Sequence, residues 1–288
     1  GMTSDAIDRL KATEPELIAI RRDIHRHPET AFEEVRTASI VARKLTSWGF
    51  AVHQGLAKTG VVGTLKGERA GQKAIGLRAD MDALHLQEKN AFTHRSTIDG
   101  KMHACGHDGH TTMLLGAARQ LAADPDFAGT VHVIFQPAEE GLGGARVMIE
   151  EGLFDLFPCD AVYGMHNAPG LPVGRFAIRS GPMLAASDSW TAVFHGTGGH
   201  GSAPDRGTDP TMPAASFILG VQGIVGRNVP PTDTAVLSVG HIAAGAFNSP
   251  NVIPSDVTVR GTSRSYRPAV RDILERRLGD VARSTAES

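Results

Sequence analysis

The densest group of potential metal ligands in the sequence is the nonapeptide 102–110, Met-His-Ala-Cys-Gly-His-Asp-Gly-His. Cys105 and His107 are separated by one glycine, so on an extended or turning backbone both side chains can reach one point. Thiolate and imidazole are common ligands of zinc and neighbouring transition metals. A single cysteine or histidine is usually an ordinary structural residue, but three histidines, a cysteine and an aspartate at this density favour a metal site.

Further metal-capable side chains follow apolar runs that read as strands. They are Asp80 and Asp82 after 74–79, Glu139 and Glu140 after 131–135, and His166 after 161–165. In open α/β sheets, ligands bind beyond the carboxyl ends of the strands. The adjacent carboxylates Glu139 and Glu140 cannot both stay ionised cheaply without cations, which favours one as a metal ligand and the other as a general base. We expect Asp80 and Asp82 to support the ligands rather than to bind metal directly.

Hydrophobic periodicity predicts the elements that would position these residues. Helices are predicted over 5–25, 32–48, 108–123 and 143–151, and strands over 51–56, 61–65, 74–79, 131–135 and 161–165. Strands that alternate with helices indicate an α/β fold with a doubly wound, mostly parallel sheet. His25 and His27 are expected only to close the first helix, where imidazolium is favoured.

The composition changes near 179–182, which predicts a catalytic domain over 1–181 and a second domain over 182–288. The second part shows a strand at 187–195, a glycine-rich turn at 196–204, a helix at 212–227, strands at 235–241 and 257–262, and a helix at 268–283. This β-α-β-β-α order is typical of a ferredoxin-like α+β unit without its last strand.

Composition narrows the class of protein. A chain of 288 residues is long enough for about two domains. Its net charge of -2 gives no electrostatic reason to expect nucleic acid or an anionic membrane as a partner, and no apolar run is long enough to span a bilayer. The two cysteines do not form a disulfide framework, so we expect a reducing, cytoplasmic location.

Motifs along nearly the whole chain resemble one known family, and they occur in the family's order. These motifs are 22–29, 77–84, 102–110, 135–140, 164–167, 199–204, 251–254 and 260–264. The chain resembles the M20 metallopeptidase and amidohydrolase family, in the branch that contains hippurate hydrolases, N-acyl-amino-acid deacylases and plant auxin-conjugate hydrolases. The 102–110 cluster and the Glu-Glu motif are the most specific features of that branch.

The resemblance implies a metal-dependent hydrolase that cleaves the amide bond of small N-acyl amino acids, hippurate-like or N-acetyl, and releases a carboxylic acid and an amino acid. It assigns two divalent ions (Zn²⁺, Mn²⁺, Co²⁺ or Ni²⁺) to Cys105, His107, Glu140 and His166, and the role of general base to Glu139. His200 matches a histidine of a lid domain that, in the family, reaches across a homodimer to polarise the scissile carbonyl. Asn251 and Arg264 match positions expected to hold the substrate's carboxylate.

One departure from the family pattern concerns the end of the sequence. Relatives continue beyond the lid domain into the catalytic domain and supply a further metal-ligand histidine, whereas this sequence stops at Ser288. We therefore expect part of the catalytic domain to be missing, and one alternative is an inactive family member that only binds metal or ligand, or dimerises. A second alternative is a thiol hydrolase with Cys105 as its nucleophile.

Overall fold

The computed structural model describes residues 2–288 and, from residue 5 onward, their side chains. The chain divides into two compact units, Gly1–Leu171 and Pro172–Ser288, whereas the sequence predicts a boundary after Gly181. Within the described part, no helix combines the length and the apolar character that crossing a membrane requires.

Unit 1 is built on a five-stranded sheet with the order β1-β2-β4-β3-β5. Its strands are β1 (Ala51–Leu56), β2 (Gly60–Lys66), β3 (Arg69–Asp80), β4 (Ala128–Gln136) and β5 (Ala161–Gly164). β3 pairs in parallel with β4 and β5, and β2 pairs antiparallel with β1 and β4. Four strands therefore run in one direction and β2 alone runs against them, which confirms the mostly parallel sheet.

Helices cover both faces of this sheet. They are α1 (Met2–Arg26), α2 (Val35–Ser47), α3 (His107–Ala123), α4 (Gly144–Glu150) and the short α5 (Leu153–Leu156). Val133 and Phe135 of β4 join the core shared with α1, α2 and α3. Ile134, between them in the strand, packs with Met148 and Leu153 on the opposite face. Because successive strand residues point to opposite faces, β4 contributes to both cores.

The predicted second helix begins at Val35 and not at Phe32. Phe32 has a φ of 65°, a left-handed conformation that no helix continues through. The Glu29 carboxylate accepts hydrogen bonds from the backbone N–H groups of Arg36 and Thr37, at 2.8 and 2.7 Å. These N–H groups belong to the first turn of a helix that begins at Val35 and would otherwise lack acceptors. Hydrophobic periodicity does not register either feature.

Unit 2 contains a three-stranded antiparallel sheet with the order β6-β10-β8. Its elements are β6 (Ala186–His195), β7 (Gly199–His200), α6 (Thr211–Asn228), β8 (Ala235–Ala244), β9 (Val252–Ile253), β10 (Asp256–Ser265) and α7 (Pro268–Glu287), with a 3-10 turn at Pro204–Arg206. Phe194 and Val259 from the sheet pack with Phe217 of α6 and Leu274 of α7. The main elements follow the predicted β-α-β-β-α order, and β7 pairs with β9 in a separate ribbon.

Candidate metal centre

The candidate site of unit 1 lies beyond the carboxyl ends of three neighbouring parallel strands. β3 ends at Asp80, β4 leads into the pair Glu139-Glu140, and β5 leads into His166. α3 begins at His107, preceded by Gly106 with a φ of 89°. A Cβ on residue 106 would also meet the Asn167 side chain, so glycine fits this turn on both grounds. The strand order and this turn bring the predicted residues together.

His107 lies at the centre of the cluster, and its side chain is fully buried. Its Nδ1 is 3.2 Å from Oδ1 of Asp82. Its Nε2 is 3.7 Å from a carboxylate oxygen of Glu139 and 3.7 Å from one of Glu140. Neither this Nε2 nor Oε1 of Glu140 has a hydrogen-bond partner among the described residues, although both atoms are buried. Buried polar atoms without partners are costly, so their convergence fits a bound cation.

Cys105 and His166 form the other side of the cluster, with 3.5 Å between Sγ and Nε2. The Nδ1 of His166 donates to the backbone carbonyl of Asn167 at 2.7 Å, which directs its Nε2 toward the cysteine. Two sets of ligand atoms each lie within 4.8 Å of one another: Cys105, His107 and His166, and His107, Glu139 and Glu140. These sets contain all four predicted ligands and the predicted base.

A third set consists of Asp80, His107 and His110. His110 is not among the ligands predicted from the sequence. His110 Nδ1 lies 2.6 Å from Oδ1 of Asp80, and its Nε2 lies 2.7 Å from Oδ1 of Asn167. Oδ2 of Asp80 lies 3.0 Å from the Arg78 guanidinium in an ion pair, but it accepts no hydrogen bond among the described residues. The spacing of His107 and His110, three residues apart at the start of a helix, places them on one face and could have indicated the pair.

Burial and negative charge dominate the electrostatics of the cluster. Burial, reinforced by the Glu140 carboxylate, raises the pKa of the Cys105 thiol to about 12. Burial and the adjacent Glu140 also raise the pKa of Glu139. Burial alone would raise the pKa of Asp80, but the hydrogen bond with His110 and the charge of His107 outweigh it and bring the pKa to about 2. Thiolate and carboxylates ionise together here only with compensating positive charge.

Closing α1 is the only role that the sequence predicts for His25, but this side chain also links two other segments. Its Nδ1 lies 2.9 Å from Asp108, the residue after His107, and its Nε2 lies 3.1 Å from both carboxylate oxygens of Glu88. His25 therefore connects the end of α1 to the first turn of α3. Its partners are far away in sequence, so no local pattern reveals them.

Unit 2 carries the three predicted substrate contacts, but not at one place. His200 lies on β7, where its Nδ1 is 2.7 Å from the Ser202 hydroxyl, and the Gly201 N–H donates to the Asn251 carbonyl at 2.7 Å beside β9. This ribbon adjoins the end of the sheet where His195 pairs with Asp256. Arg264 lies near the other end of β10. Unit 2 therefore brings His200 and Asn251 together and holds Arg264 apart from them.

The mostly parallel α/β sheet and the thiol-imidazole-carboxylate cluster beyond its carboxyl edge fit a hydrolase, and comparison with known proteins identifies the family. Residues 76–288 match Peptidase family M20/M25/M40, and the chain belongs to this family. The predicted membership of a hydrolase family is thereby confirmed.

Curated relatives cover most of this chain. It is 46% identical to the hippurate hydrolase of Campylobacter jejuni over 93% of this chain and 69% of that protein. It is 41% identical to the N-acetyl-L-cysteine deacetylase of Bacillus subtilis over 93% of this chain and 64% of the relative. An IAA-amino acid hydrolase of Arabidopsis thaliana is 42% identical over 92% of this chain and 59% of the relative. The chain thus spans about two thirds of the length of these relatives.

Solved structures agree with the fold. A protein from methicillin-resistant Staphylococcus aureus superposes with a TM-score of 0.87 at 33% identity, covering 98% of this chain and 74% of that one. A dinuclear metal-binding peptidase of the M20 family from Bacillus subtilis superposes with a TM-score of 0.76 at 36% identity, covering 96% and 71%.

Proposed function

We propose that this protein hydrolyses the amide bond of small N-acyl amino acids with the help of two divalent metal ions. The observation that carries the proposal is that two sets of potential ligands, Cys105 with His166 and Glu139 with Glu140, share the buried His107, whose Nε2 has no hydrogen-bond partner among the described residues. The dinuclear metal binding of the Bacillus subtilis relative and the activities that the curated relatives are named for support it.

Cys105, His107, Glu140 and His166 would hold the ions. Sulfur, nitrogen and oxygen ligands together suit Zn²⁺, Mn²⁺, Co²⁺ or Ni²⁺. When bound, such ions lower the pKa of water toward neutrality and polarise a carbonyl oxygen. Asp82 holds the Nδ1 side of His107, so that its Nε2 faces the cluster.

Glu139 would act as the general base. It takes the proton of the attacking water and delivers it to the nitrogen of the leaving amino acid. Its carboxylate lies beside the cluster, 3.7 Å from Nε2 of His107, and its side chain is 38% exposed, so water can reach it.

Residues of unit 2 would recognise the substrate. Arg264 is exposed and has no carboxylate partner in residues 5–288, which leaves its guanidinium free to bind the substrate's carboxylate. Asn251 would add a polar contact to the same group. His200 would donate to the oxygen of the scissile carbonyl as negative charge develops there, an interaction typically worth about 3 kcal/mol of the barrier.

The separation of these residues favours a homodimer. Asp256, beside the ribbon, and Arg264 are eight residues apart on β10, or roughly 26 Å at the usual rise of a strand. A small N-acyl amino acid is much shorter than this distance. If His200 and Arg264 both contact one substrate molecule, they therefore come from two copies of the chain. The free thiols of Cys105 and Cys159 support a reducing compartment such as the cytoplasm.

The proposal is tested by assaying the purified chain with hippurate and N-acetyl amino acids. A chelator should abolish turnover and Mn²⁺ or Zn²⁺ should restore it. Glu139→Gln should lower kcat by at least about a hundredfold because proton transfer is lost, while metal content stays that of the wild type. Turnover that survives both treatments would rule out metal-dependent hydrolysis.

Two other functions predict different outcomes. The 3.5 Å approach of Cys105 to His166 also resembles the thiol-imidazole pair of a cysteine hydrolase. That function requires iodoacetamide inactivation and a trapped acyl-thioester in metal-free protein, and the raised pKa of this thiol argues against it. A protein that only binds metal or dimerises would show no turnover when folded and fully loaded.

A further inference from the structure

Ala138, the residue directly before the Glu139-Glu140 pair, has a left-handed backbone. Its φ is 52°, and its side chain is fully buried. A non-glycine residue in this conformation costs of order 1 kcal/mol or more and persists only where its surroundings impose it. The direction in which the chain leaves β4, and so the placement of the two carboxylates, depends on this residue.

Both backbone polar groups of Ala138 are held. Its N–H donates to Oε2 of Glu34 at 2.9 Å, and its carbonyl accepts from the N–H of Gly144 at 3.0 Å. Glu34 comes from the segment before α2 and is itself fully buried. Its second carboxylate oxygen lies 3.5 Å from the Thr59 hydroxyl. Glu34 therefore connects the turn that carries the proposed base to the β1–β2 hairpin.

Backbone strain in the described part of the chain is concentrated around this carboxylate. Besides Ala138, the non-glycine residues with positive φ are Phe32, Ala57 and Lys58. Phe32 lies two residues before Glu34, and Ala57 and Lys58 directly precede Thr59. Clustering of strained residues is typical of functional sites, where the strain fixes a geometry.

Glu34 is also an expensive group to bury. No cationic side chain pairs with it among residues 5–288, and burial, with the nearby Asp82 carboxylate, raises its pKa to about 7. An unpaired buried carboxyl lowers stability compared with an apolar side chain of similar size. The hydrogen bond that Glu34 accepts from the Ala138 N–H is the interaction that an apolar side chain could not supply.

Resting on the function proposed above, we infer that Glu34 is a positioning residue for the Glu139-Glu140 pair. It accepts the N–H of Ala138, holds that residue in the left-handed conformation, and so directs both carboxylates toward His107. Asp82 acts on the same segment from the other side, because it accepts the N–H of Glu140 at 2.9 Å. The pair is thus positioned through its backbone by two buried carboxyl groups.

Three variants of the whole chain test the inference. E34A removes the acceptor, and E34Q keeps an acceptor of the same shape. E29A is the matched control: it removes a carboxylate that also accepts backbone N–H groups, at the start of α2, and that makes no hydrogen bond to residues 137–144. The readouts are hydrogen–deuterium exchange of the 136–142 segment in metal-free protein, and Mn²⁺ affinity by calorimetry.

We expect E34A to speed exchange in 136–142 by at least about tenfold and to weaken Mn²⁺ binding by about 10–100-fold, the usual effect of losing a residue that orients ligands. E34Q should stay within about twofold of the wild type on both readouts. E29A should lower the melting temperature without changing either. Equal effects of E34A and E29A, or unchanged exchange in E34A, would overturn the inference.

Two further outcomes remain interpretable: an E34A variant that does not fold, and a wild type that binds no Mn²⁺. If E34A does not fold, E34D withdraws the acceptor by one methylene group and should show the same faster exchange; wild-type exchange in E34D would count against the role of Glu34. If the wild type binds no Mn²⁺, the proposed function fails, and the exchange comparison in metal-free protein still decides whether Glu34 holds the turn.

Discussion

Among single residues, His107 has the greatest influence on the candidate site. It belongs to all three groups of potential ligands, and its ring lies between Asp82 on one side and the Glu139-Glu140 pair on the other. A metal-binding imidazole almost always donates its other N–H to an acceptor, which fixes its tautomer and the orientation of its ring. The residues that orient His107 therefore matter nearly as much as the ligands.

Asp82→Ala should weaken Mn²⁺ binding by about 10–100-fold, because His107 loses its acceptor and the Glu140 N–H loses its partner. Calorimetric titration of the metal-free protein measures this change. Asp160→Ala is the control, since it removes a carboxylate that accepts a backbone N–H at the other end of the parallel strands. Wild-type affinity in Asp82→Ala would show that Asp82 does not orient His107.

The buried Glu34 carboxyl group should make the stability of the protein depend on pH. Burial raises the pKa of Glu34 from 4.5 to about 7, so the folded protein holds this proton more tightly than the unfolded chain does. The contribution of Glu34 to stability therefore falls as the pH rises from about 4.5 to about 7. Glu34→Gln cannot ionise. Its free energy of unfolding relative to that of the wild type should therefore rise by up to about 3 kcal/mol between pH 5 and pH 8.

Urea unfolding of both proteins at pH 5 and pH 8 gives the four free energies of unfolding that this comparison needs. Every other titrating group is common to the two proteins, so its contribution cancels. A difference between Glu34→Gln and the wild type that is the same at both pH values would show that Glu34 does not titrate in this range.

At the scale of secondary structure, the sequence predicts the arrangement of the site better than its supporting contacts. Apolar runs followed by acidic residues or histidine predict that β3, β4 and β5 deliver their side chains to one edge, because parallel strands share that edge. Residues 69–73 of β3 are exposed and mostly polar, so periodicity does not extend the strand to Arg69. The hydrogen bonds of His25 to Asp108 and Glu88, and of Glu34 to Ala138, join segments 63–104 residues apart, beyond the reach of any local pattern.

The turn between β4 and α4 leaves no room for a side chain at Gly144. A Cβ at this position would overlap the carbonyl oxygen of Pro137, whereas one at Gly109 of α3 would have no atom within 4 Å. Gly144→Ala should therefore destabilise unit 1 by about 1–3 kcal/mol. Gly109→Ala should be neutral or slightly stabilising, because alanine favours helix. Thermal unfolding compares the two, and equal melting temperatures would show that the turn adjusts without loss.

At the scale of the whole molecule, the chain combines two compact units that each carry part of the predicted chemistry. Unit 1 holds the candidate metal ligands and base, and unit 2 holds the expected substrate contacts. Within unit 2, the ribbon that bears His200 and the end of β10 that bears Arg264 lie at opposite ends of one sheet. This separation is the structural argument for a second copy.

The proposed homodimer makes a quantitative prediction for mixed variants. If His200 acts on the substrate held by the partner copy, Glu139→Gln and His200→Ala are each inactive alone. Refolding them together in equal amounts should restore roughly a quarter of wild-type turnover, because half of the dimers are mixed and each has one complete site. Glu139→Gln mixed with the double variant Glu139→Gln/His200→Ala is the control and should stay inactive. No recovery from folded, dimeric mixtures would exclude action across the dimer.

The candidate ligands come from widely spaced parts of the chain, between Asp80 and His166, and meet only once β3, β4 and β5 are side by side. An unfolded chain therefore offers only local pairs such as Cys105 and His107, and ions that bind the native state more tightly shift the folding equilibrium toward it. Divalent ions would then raise the melting temperature in proportion to the logarithm of their concentration. A chelator would act partly as a denaturant, so circular dichroism of the chelated protein is needed to distinguish an empty site from an unfolded protein.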